Sequence, residues 1–259
     1  MKGAFMAFAL LFAASRCEAA LSPRQLGAAA LAPEVGAQLP PEAPFETAQG
    51  PLTLKDAIGG KPAILLLVDF TCRFICGSTL SIAADGLSHL NLRPGADYAI
   101  LVMGIDPKDD VSAAEAMKRA RLGAYPQLAA SARFLNGDAA TVAAVAAALH
   151  YTPVYDAETD EFAHPVGAVI LTPDARVSGV VSGLDLDASS LKAALDAAGQ
   201  RGGSGLIEGI RLLCYGHAPL KGAYAATVGA ALIAGGTLTF ALLCGALVFL
   251  FRRGSARAS

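Results

Sequence analysis

Strongly apolar runs alternate with amphipathic segments through the middle of the chain. Residues 64–70 form such a run between Gly59-Gly60 and a cysteine segment, which predicts a strand buried on both faces. A hairpin with the turn Thr172-Pro173-Asp174-Ala175 is predicted farther on. The remaining pattern predicts helices at residues 76–90, 111–122, 139–149 and 187–198, and strands at residues 98–105, 133–135, 166–171 and 176–181.

The order of these elements indicates the fold class. The series β-α-β-α-β-β-α, preceded by the segment at residues 45–54, predicts an α/β thioredoxin-like sandwich over residues 45–200. Open α/β sheets bind their ligands at the carboxyl ends of their strands. We therefore expect the functional chemistry just after the strand at residues 64–70.

The N-terminal end of the chain is also apolar, but for a reason other than burial in the predicted sandwich. Residues 1–19 carry one lysine and an apolar stretch too short to cross about 30 Å of hydrocarbon, and they end in Cys17-Glu18-Ala19, small enough for signal-peptidase cleavage. They are predicted to be a secretory signal. A lipoprotein anchor on Cys17, which Arg16 disfavours, and a buried helix are the alternatives. Residues 20–44, rich in Ala and Pro, are predicted to be a flexible leader.

The C-terminal end contains a second apolar run. Residues 223–251 carry no charge, and at about 1.5 Å rise per residue they are long enough to span a bilayer. Three arginines follow at once, and cationic flanks stay in the cytoplasm. We predict a connector at residues 201–222, a single transmembrane helix at 223–251 and a cytoplasmic tail at 252–259. The main domain is then expected on the periplasmic side of the inner membrane.

Composition narrows the classes of function and partner. The hydrophobic fraction of 54% exceeds the usual range because of the two apolar ends. A net charge of -2 and no basic run before the C-terminus exclude nucleic acid as a partner. Of five cysteines, one lies in the signal and one in the membrane run, which leaves Cys72, Cys76 and Cys214 in an oxidising compartment. Three thiols are too few for a disulfide scaffold.

The segment Thr71-Cys72-Arg73-Phe74-Ile75-Cys76-Gly77 lies where the first long strand ends and a helix begins. The helix dipole and the Arg73 cation both favour thiolate over thiol, so the cysteine pKa is expected below its usual value of about 8.5. A spacing of four residues puts the two sulfurs about one helical turn apart. The pair Cys72 and Cys76 can therefore form a disulfide or hold one soft metal ion.

A third ligand would complete a trigonal Cu(I) site, since imidazole is compatible with soft thiolates around this ion. His89 and His150 lie toward helix ends and are expected at the surface or in packing. His164 lies in a polar loop before the strand at residues 166–171, which we expect beside the cysteine turn. His164 is therefore the candidate third ligand.

These motifs together resemble the Sco/SenC family. The resemblance rests on Thr71-Cys72-(x3)-Cys76, on Gly104-Ile105-Asp106-Pro107, and on His164 followed by a strand and the Thr172-Pro173-Asp174-Ala175 turn, over about residues 45–198. The sequence also departs from the family pattern. Arg73 and Gly77 replace the prolines that usually follow the cysteines, Ala163 replaces the Asp before the histidine, and the predicted anchor is C-terminal.

The resemblance implies a copper-binding assembly factor for the binuclear site of cytochrome c oxidase, with Cys72, Cys76 and His164 as metal ligands. Its partners would be the copper-bearing oxidase subunit or other copper chaperones, and the copper would be Cu(I) or, alternatively, Cu(II). Such a protein hands over an ion and is not an enzyme. The main alternative is a membrane-anchored thiol-disulfide oxidoreductase, in which Cys72 attacks and Cys76 resolves the mixed disulfide. A peroxide-reducing enzyme is disfavoured because the surrounding motif is absent.

Two further groups of residues carry weaker signals. Asp106 and Asp109-Asp110 follow a strand and are expected to turn the chain and cap the helix that begins near Val111. Cys214 and His217 precede the membrane run and could form an accessory copper site, although a solvated connector is the simpler interpretation.

Overall fold

A computed structural model of the chain describes residues 21–22, 25, 27–72, 76–201, 236–237 and 239, and of Cys76 and Arg201 it describes the backbone alone. The chain divides into two compact units, residues 1–218 and 219–259. The predicted signal, connector, membrane helix and cytoplasmic tail lie wholly or almost wholly outside the described residues. Among the residues that are described, no helix has the length and apolar character needed to cross a membrane.

The described elements confirm the predicted α/β order, and the predicted helices and strands are displaced at their ends by three residues at most. The strands are β1 (Ala30–Leu31), β2 (Pro44–Thr47), β3 (Gly50–Thr53), β4 (Ala63–Val68), β5 (Ala99–Gly104), β6 (Arg133–Leu135), β7 (Tyr151–Thr152), β8 (Val154–Asp156), β9 (Glu161–Ala163), β10 (Gly167–Leu171) and β11 (Val177–Ser182). The helices are α1 (Leu54–Ile58), α2 (Cys76–Ser88), α3 (Val111–Leu122), α4 (Pro126–Ser131), α5 (Ala139–Ala148) and α6 (Ala188–Arg201).

The largest sheet has the strand order β11-β10-β4-β5-β6. Strands β4, β5 and β6 are parallel, whereas β10 is antiparallel to both β4 and β11. Parallel neighbours need crossover connections, which α2 supplies between β4 and β5, and α3 and α4 between β5 and β6. The carboxyl ends of β4 and β5 therefore meet at one edge of the sheet, where the cysteine turn follows β4.

Both faces of this sheet are buried, as the unbroken apolar run of β4 predicts. Because successive side chains point to opposite faces, alternate residues of each strand enter different cores. Ile64 and Leu66 pack with helices α2, α3, α4 and α6, while Leu65 and Leu67 pack with α1, α5 and the β2–β3 hairpin. The sheet is thus the middle layer of a sandwich.

Part of the segment for which we predicted a flexible leader packs in this sandwich. Leu31 and Leu39 are buried in the same core as α1 and α5, β1 pairs with β7, and the Gly36 N–H donates to the Val177 carbonyl. The packed domain therefore begins before Phe45. Its leucines enter the core singly and are separated by prolines and alanines, so no apolar period marks them in the sequence.

Candidate metal centre

The backbone N–H groups of the turn that carries Cys72 donate to two aspartate residues instead of to a partner strand. The Phe70 N–H donates to Oδ2 of Asp109 at 2.8 Å, and the Thr71 N–H donates to Oδ1 of Asp69 at 3.0 Å. The Cys72 N–H donates to the Asp69 backbone carbonyl at 3.3 Å. Three successive backbone donors are satisfied in this way just beyond β4, which fixes the direction in which Cys72 leaves the sheet.

Asp69 and Asp109 are both buried beneath the cysteine turn. Oδ2 of Asp69 has no hydrogen-bond partner within the described part of the chain. Burial raises the pKa of Asp109 to about 6, the negative charges of Asp69 and Asp106 add to this effect, and the hydrogen bond from Phe70 opposes it. The candidate site therefore lies above a buried carboxyl group, that of Asp109, whose ionisation is opposed by its surroundings.

Helix α2 begins at Cys76, as predicted, and the positive end of its dipole faces the cysteine turn. The Cys76 side chain and residues 73–75 lie outside the described residues, so the predicted effect of Arg73 stays a prediction. Another arginine is present here. A Cβ atom on Gly77 would collide with the Arg121 guanidinium, so glycine makes room for this cation at the first turn of α2.

The segment that carries His164 forms a hairpin instead of the predicted loop. Strands β8 and β9 pair antiparallel, with Asp156 opposite Glu161, and the Tyr155 and Phe162 rings pack at a centroid distance of 5.2 Å. Oε2 of Glu161 accepts a hydrogen bond from Sγ of Cys72 at 3.7 Å. The hairpin therefore lies directly beside the cysteine turn, which is the position that we expected for the His164 segment.

Lys108 fixes the tip of this β8–β9 hairpin to the end of β5. Its ammonium forms ion pairs with Asp160 in the hairpin and, at 3.5 Å, with Asp106. The same ammonium lies 5.2 Å from the centroid of the Tyr155 ring, whose hydroxyl donates to Asp160 at 2.6 Å. Because Asp106 is buried beyond β5, the hairpin is tied to the rigid part of the sheet.

His164 is half-buried immediately after β9. Burial lowers the pKa of the imidazole below its ordinary value of about 6.5, although the Pro165 carbonyl and the Asp69 charge act in the opposite direction. Nδ1 lies 3.1 Å from the Pro165 carbonyl oxygen, which can only accept, so Nδ1 carries the proton. A neutral ring in this tautomer offers its lone pair at Nε2, which is the form that binds metal ions.

The structure therefore brings Cys72 next to the hairpin that carries His164, while the Cys76 side chain is not described. Among the described side chains, no three His, Cys, Asp or Glu residues are grouped so that they could hold a metal ion. His89 and His150 are exposed, as predicted. Cys214 and His217 lie outside the described residues, so their interpretation stays a prediction.

The acidic residues around the site were only partly predictable from the sequence. Asp110 caps α3 by accepting the Ala113 N–H at 2.8 Å, which confirms the prediction of a cap in this segment. Asp109, by contrast, is buried and supports Phe70. Glu161, Asp69 and Lys108 were not predicted to belong to the site. A carboxylate inside an apolar run, as at Asp69, is the one signal that could have pointed to it.

A parallel sheet extended by an antiparallel hairpin, with a cysteine turn at the carboxyl end of β4 and a helix beginning at Cys76, defines a thioredoxin-like domain. The SCO1/SenC family model matches residues 41–198. This match covers more than half of the 259 residues, and the chain belongs to the SCO1/SenC family.

Two solved structures, of Aquifex aeolicus VF5 and Bacillus anthracis str. Ames, support the same fold. A protein of Aquifex aeolicus VF5 with a provisional assignment to electron transfer aligns with a TM-score of 0.57 and 19% identity, over 64% of this chain and 95% of that one. A SCO1/SenC family lipoprotein of Bacillus anthracis str. Ames aligns with a TM-score of 0.50 and 15% identity, over 62% and 94%. ScoI of Arabidopsis thaliana, determined with copper bound, aligns with a TM-score of 0.48 and 19% identity, over 64% and 99%. Comparison with curated protein sequences finds no significant match.

Proposed function

We propose that this domain binds copper, chiefly as Cu(I), through Cys72, Cys76 and His164, and passes it to the copper-bearing subunit of cytochrome c oxidase or to another copper-handling protein. Membership of the SCO1/SenC family supports this function. The observation that carries it is the 3.7 Å contact between Sγ of Cys72 and Oε2 of Glu161, because Glu161 begins β9, the strand that leads directly into His164.

The residues supply the chemistry that such a site needs. Thiolates are soft ligands that select Cu(I), and a neutral imidazole is compatible with them. The start of α2 stabilises negative charge where Cys76 stands, while partial burial lowers the pKa of His164 and so favours the neutral imidazole. Binding an ion releases the thiol protons, since only thiolate coordinates metal. Cys72 is only half-buried, so the turn that carries it is accessible at the protein surface.

Thiol-disulfide exchange is the second candidate function. Cys72 is a free thiol at the edge of the sheet, and Glu161 accepts its hydrogen bond, so a base is present beside the attacking sulfur. In this function Cys72 would attack a client disulfide and Cys76 would resolve the mixed disulfide. Exchange of this kind does not require His164. A variant that lacks this imidazole therefore distinguishes the two functions.

The variant His164→Ala is expected to weaken Cu(I) binding by at least about 10- to 100-fold, because changes to groups around a metal already cost that much. Disulfide exchange with a model client should stay within a few-fold of the wild type. Competition with a chromogenic Cu(I) chelator measures the first quantity, and His150→Ala is the control because His150 is exposed. Cells that carry His164→Ala are compared with cells that carry Cys72→Ser or Cys76→Ser. If copper-dependent oxidase assembly is intact in the first and lost in the others, the reductase function is favoured over the copper-binding function.

We propose in addition that the domain lies on the periplasmic side of the inner membrane and is held there by residues 223–251. The charge-free run and the arginines that follow it support this orientation. A reporter that is active only outside the cytoplasm should work when fused before Ala223. Activity of a cytoplasm-only reporter at the same junction would show that the orientation is the opposite of the one proposed.

A further inference from the structure

An apolar strip lies on the surface beside the cysteine turn. Residues 162–166, which lead from β9 into β10, are all half-buried, and they include Phe162, Pro165 and Val166. Leu184, in the turn between β11 and α6, is 97% exposed, more than any other large apolar side chain in the described part of the chain. We call residues 162–166 and Leu184 the apolar strip. An exposed leucine that continues a partly exposed apolar segment is typical of an interaction surface, whereas a lone exposed leucine is not.

The sheet places Leu184 at the same edge as Cys72. Strand β10 is antiparallel to β4, so it begins at the carboxyl end of β4, where the cysteine turn follows. Strand β11 is antiparallel to β10 and therefore ends at this edge. The Gly183 N–H donates to the Val166 carbonyl at 3.0 Å, and a Cβ atom on Gly183 would collide with the Val166 side chain. Leu184 thus continues the segment that leaves β9.

Carboxylates border the apolar strip without a balancing cation. Asp156 and Glu158 lie in the β8–β9 hairpin, and Asp185 directly follows Leu184. None of the three forms an ion pair with a described lysine or arginine. Lys108, the cation bound at the hairpin, is already matched by two other carboxylates. The border at the hairpin and at the β11–α6 turn is therefore negatively charged.

We propose that the apolar strip and its acidic border form the docking surface for the protein that reaches Cys72, and that this partner carries an apolar pocket for Leu184 within a ring of lysine and arginine. The proposal rests on the proposed function, because it describes the protein that would receive copper or exchange a disulfide. Protein interfaces commonly join an apolar centre to a polar rim, and opposite charges on the two rims speed association and select the partner. The same carboxylates would be repelled by an anionic membrane surface.

The test uses peptide disulfides, which report docking at Cys72 without an identified partner. Two peptides share a leucine and a cysteine and differ only in flanking lysines or glutamates, and each cysteine forms a mixed disulfide with an aromatic thiol. The Cys72 thiolate attacks the peptide sulfur, a disulfide forms between Cys72 and the peptide, and the coloured aromatic thiolate leaves. The rate with the reduced full chain, less the rate with Cys72→Ser, measures the reaction at Cys72.

The lysine peptide is expected to react about tenfold faster than the glutamate peptide at low salt, because a negative surface attracts it. Most of this advantage should disappear at about 1 M salt, where charges are screened beyond about 3 Å. Asp185→Asn should reduce the advantage about twofold by removing part of the border. Glu34→Gln is the matched control, because Glu34 is also exposed but lies near Gly36, which bonds to Val177 at the opposite end of β11.

Leu184→Ser is expected to slow the lysine peptide about tenfold, since the leucine of the peptide loses an apolar contact. A small neutral disulfide, which needs no such contact, should react with Cys72 at the wild-type rate. Because Leu184 is exposed, its substitution should leave the fold intact. Val35→Ser is the control: Val35 is 53% exposed near the other end of β11, and its loss should change neither rate.

Each outcome has a separate meaning. Equal rates for the two peptides in the wild type overturn the docking surface and leave the proposed function standing. A wild-type rate for the lysine peptide in Leu184→Ser does the same, as does equal slowing of the small neutral disulfide, which would place the effect at Cys72 itself. If the peptides behave as expected but the reduced protein binds no Cu(I), the copper-binding function fails and the docking surface stands.

Discussion

Replacing Cys72 with serine is expected to abolish both candidate functions while the fold survives. Serine has nearly the same size as cysteine, and Cys72 is only half-buried at the margin of the core. A hydroxyl does not ionise near neutral pH and cannot act as a soft ligand or as the attacking sulfur. Cu(I) affinity should fall by at least about a thousandfold, since even changes to outer groups cost about 10- to 100-fold.

The measurement is Cu(I) competition together with disulfide exchange on the purified full-length protein. Cys214→Ser is the matched control, because the simpler interpretation of Cys214 places its thiol in a solvated connector, and on that interpretation the substitution changes neither quantity. Thermal unfolding of both variants verifies that the domain stays folded. Equal Cu(I) affinity in Cys72→Ser and wild type would mean that the copper site does not contain this sulfur.

The sequence was informative where long segments repeat one pattern. The bounds of α3 were predicted without error and those of β4 to within two residues, because burial on one or two faces leaves a clear pattern of apolar positions. Strands of three residues, such as β8 and β9, are too short to show any period. Leu31 and Leu39 were missed for the same reason, since each enters the core alone.

The candidate site was likewise predictable only where it depends on residues that are neighbours in the chain. The spacing of Cys72 and Cys76 and the start of α2 follow from neighbouring residues, so the pattern predicted them. The contact of Glu161 with Cys72 joins residues 89 positions apart. The tie between Lys108 and Asp160 joins residues 52 positions apart. Such pairs depend on how the hairpin folds over the sheet, which no local pattern encodes.

The buried acidic residues beneath the cysteine turn support the candidate site but lower the stability of the folded protein. Asp109 is needed to accept the Phe70 N–H, yet its carboxylate lies close to the charges of Asp69 and Asp106. A group whose ionisation is opposed by burial lowers the stability of the folded state at neutral pH. Residues of this kind are expected at functional sites, where local preferences give way to chemistry.

Replacing Asp109 with asparagine is therefore expected to stabilise the protein at neutral pH. The folded protein holds the Asp109 proton up to a pKa of about 6, whereas the unfolded chain releases it near the ordinary value of about 3.9. The contribution of Asp109 to wild-type stability accordingly falls as the pH rises from about 4 to about 6 and then levels off. The substituted asparagine stays neutral, and its amide oxygen can accept the same bond from Phe70. The gain should reach up to about 3 kcal/mol at pH 7 and vanish below about pH 4.

Urea unfolding of the full-length protein between pH 4 and pH 7 measures this difference, with Asp97→Asn as the control of opposite sign. A hydrogen bond from Arg93 lowers the pKa of Asp97, so its carboxylate contributes stability that is present at neutral pH and is lost as the pH falls. Asp97→Asn should therefore destabilise the protein at pH 7. A stability gain in Asp109→Asn that is the same at pH 4 and pH 7 would show that repacking, and not the buried charge, is its cause.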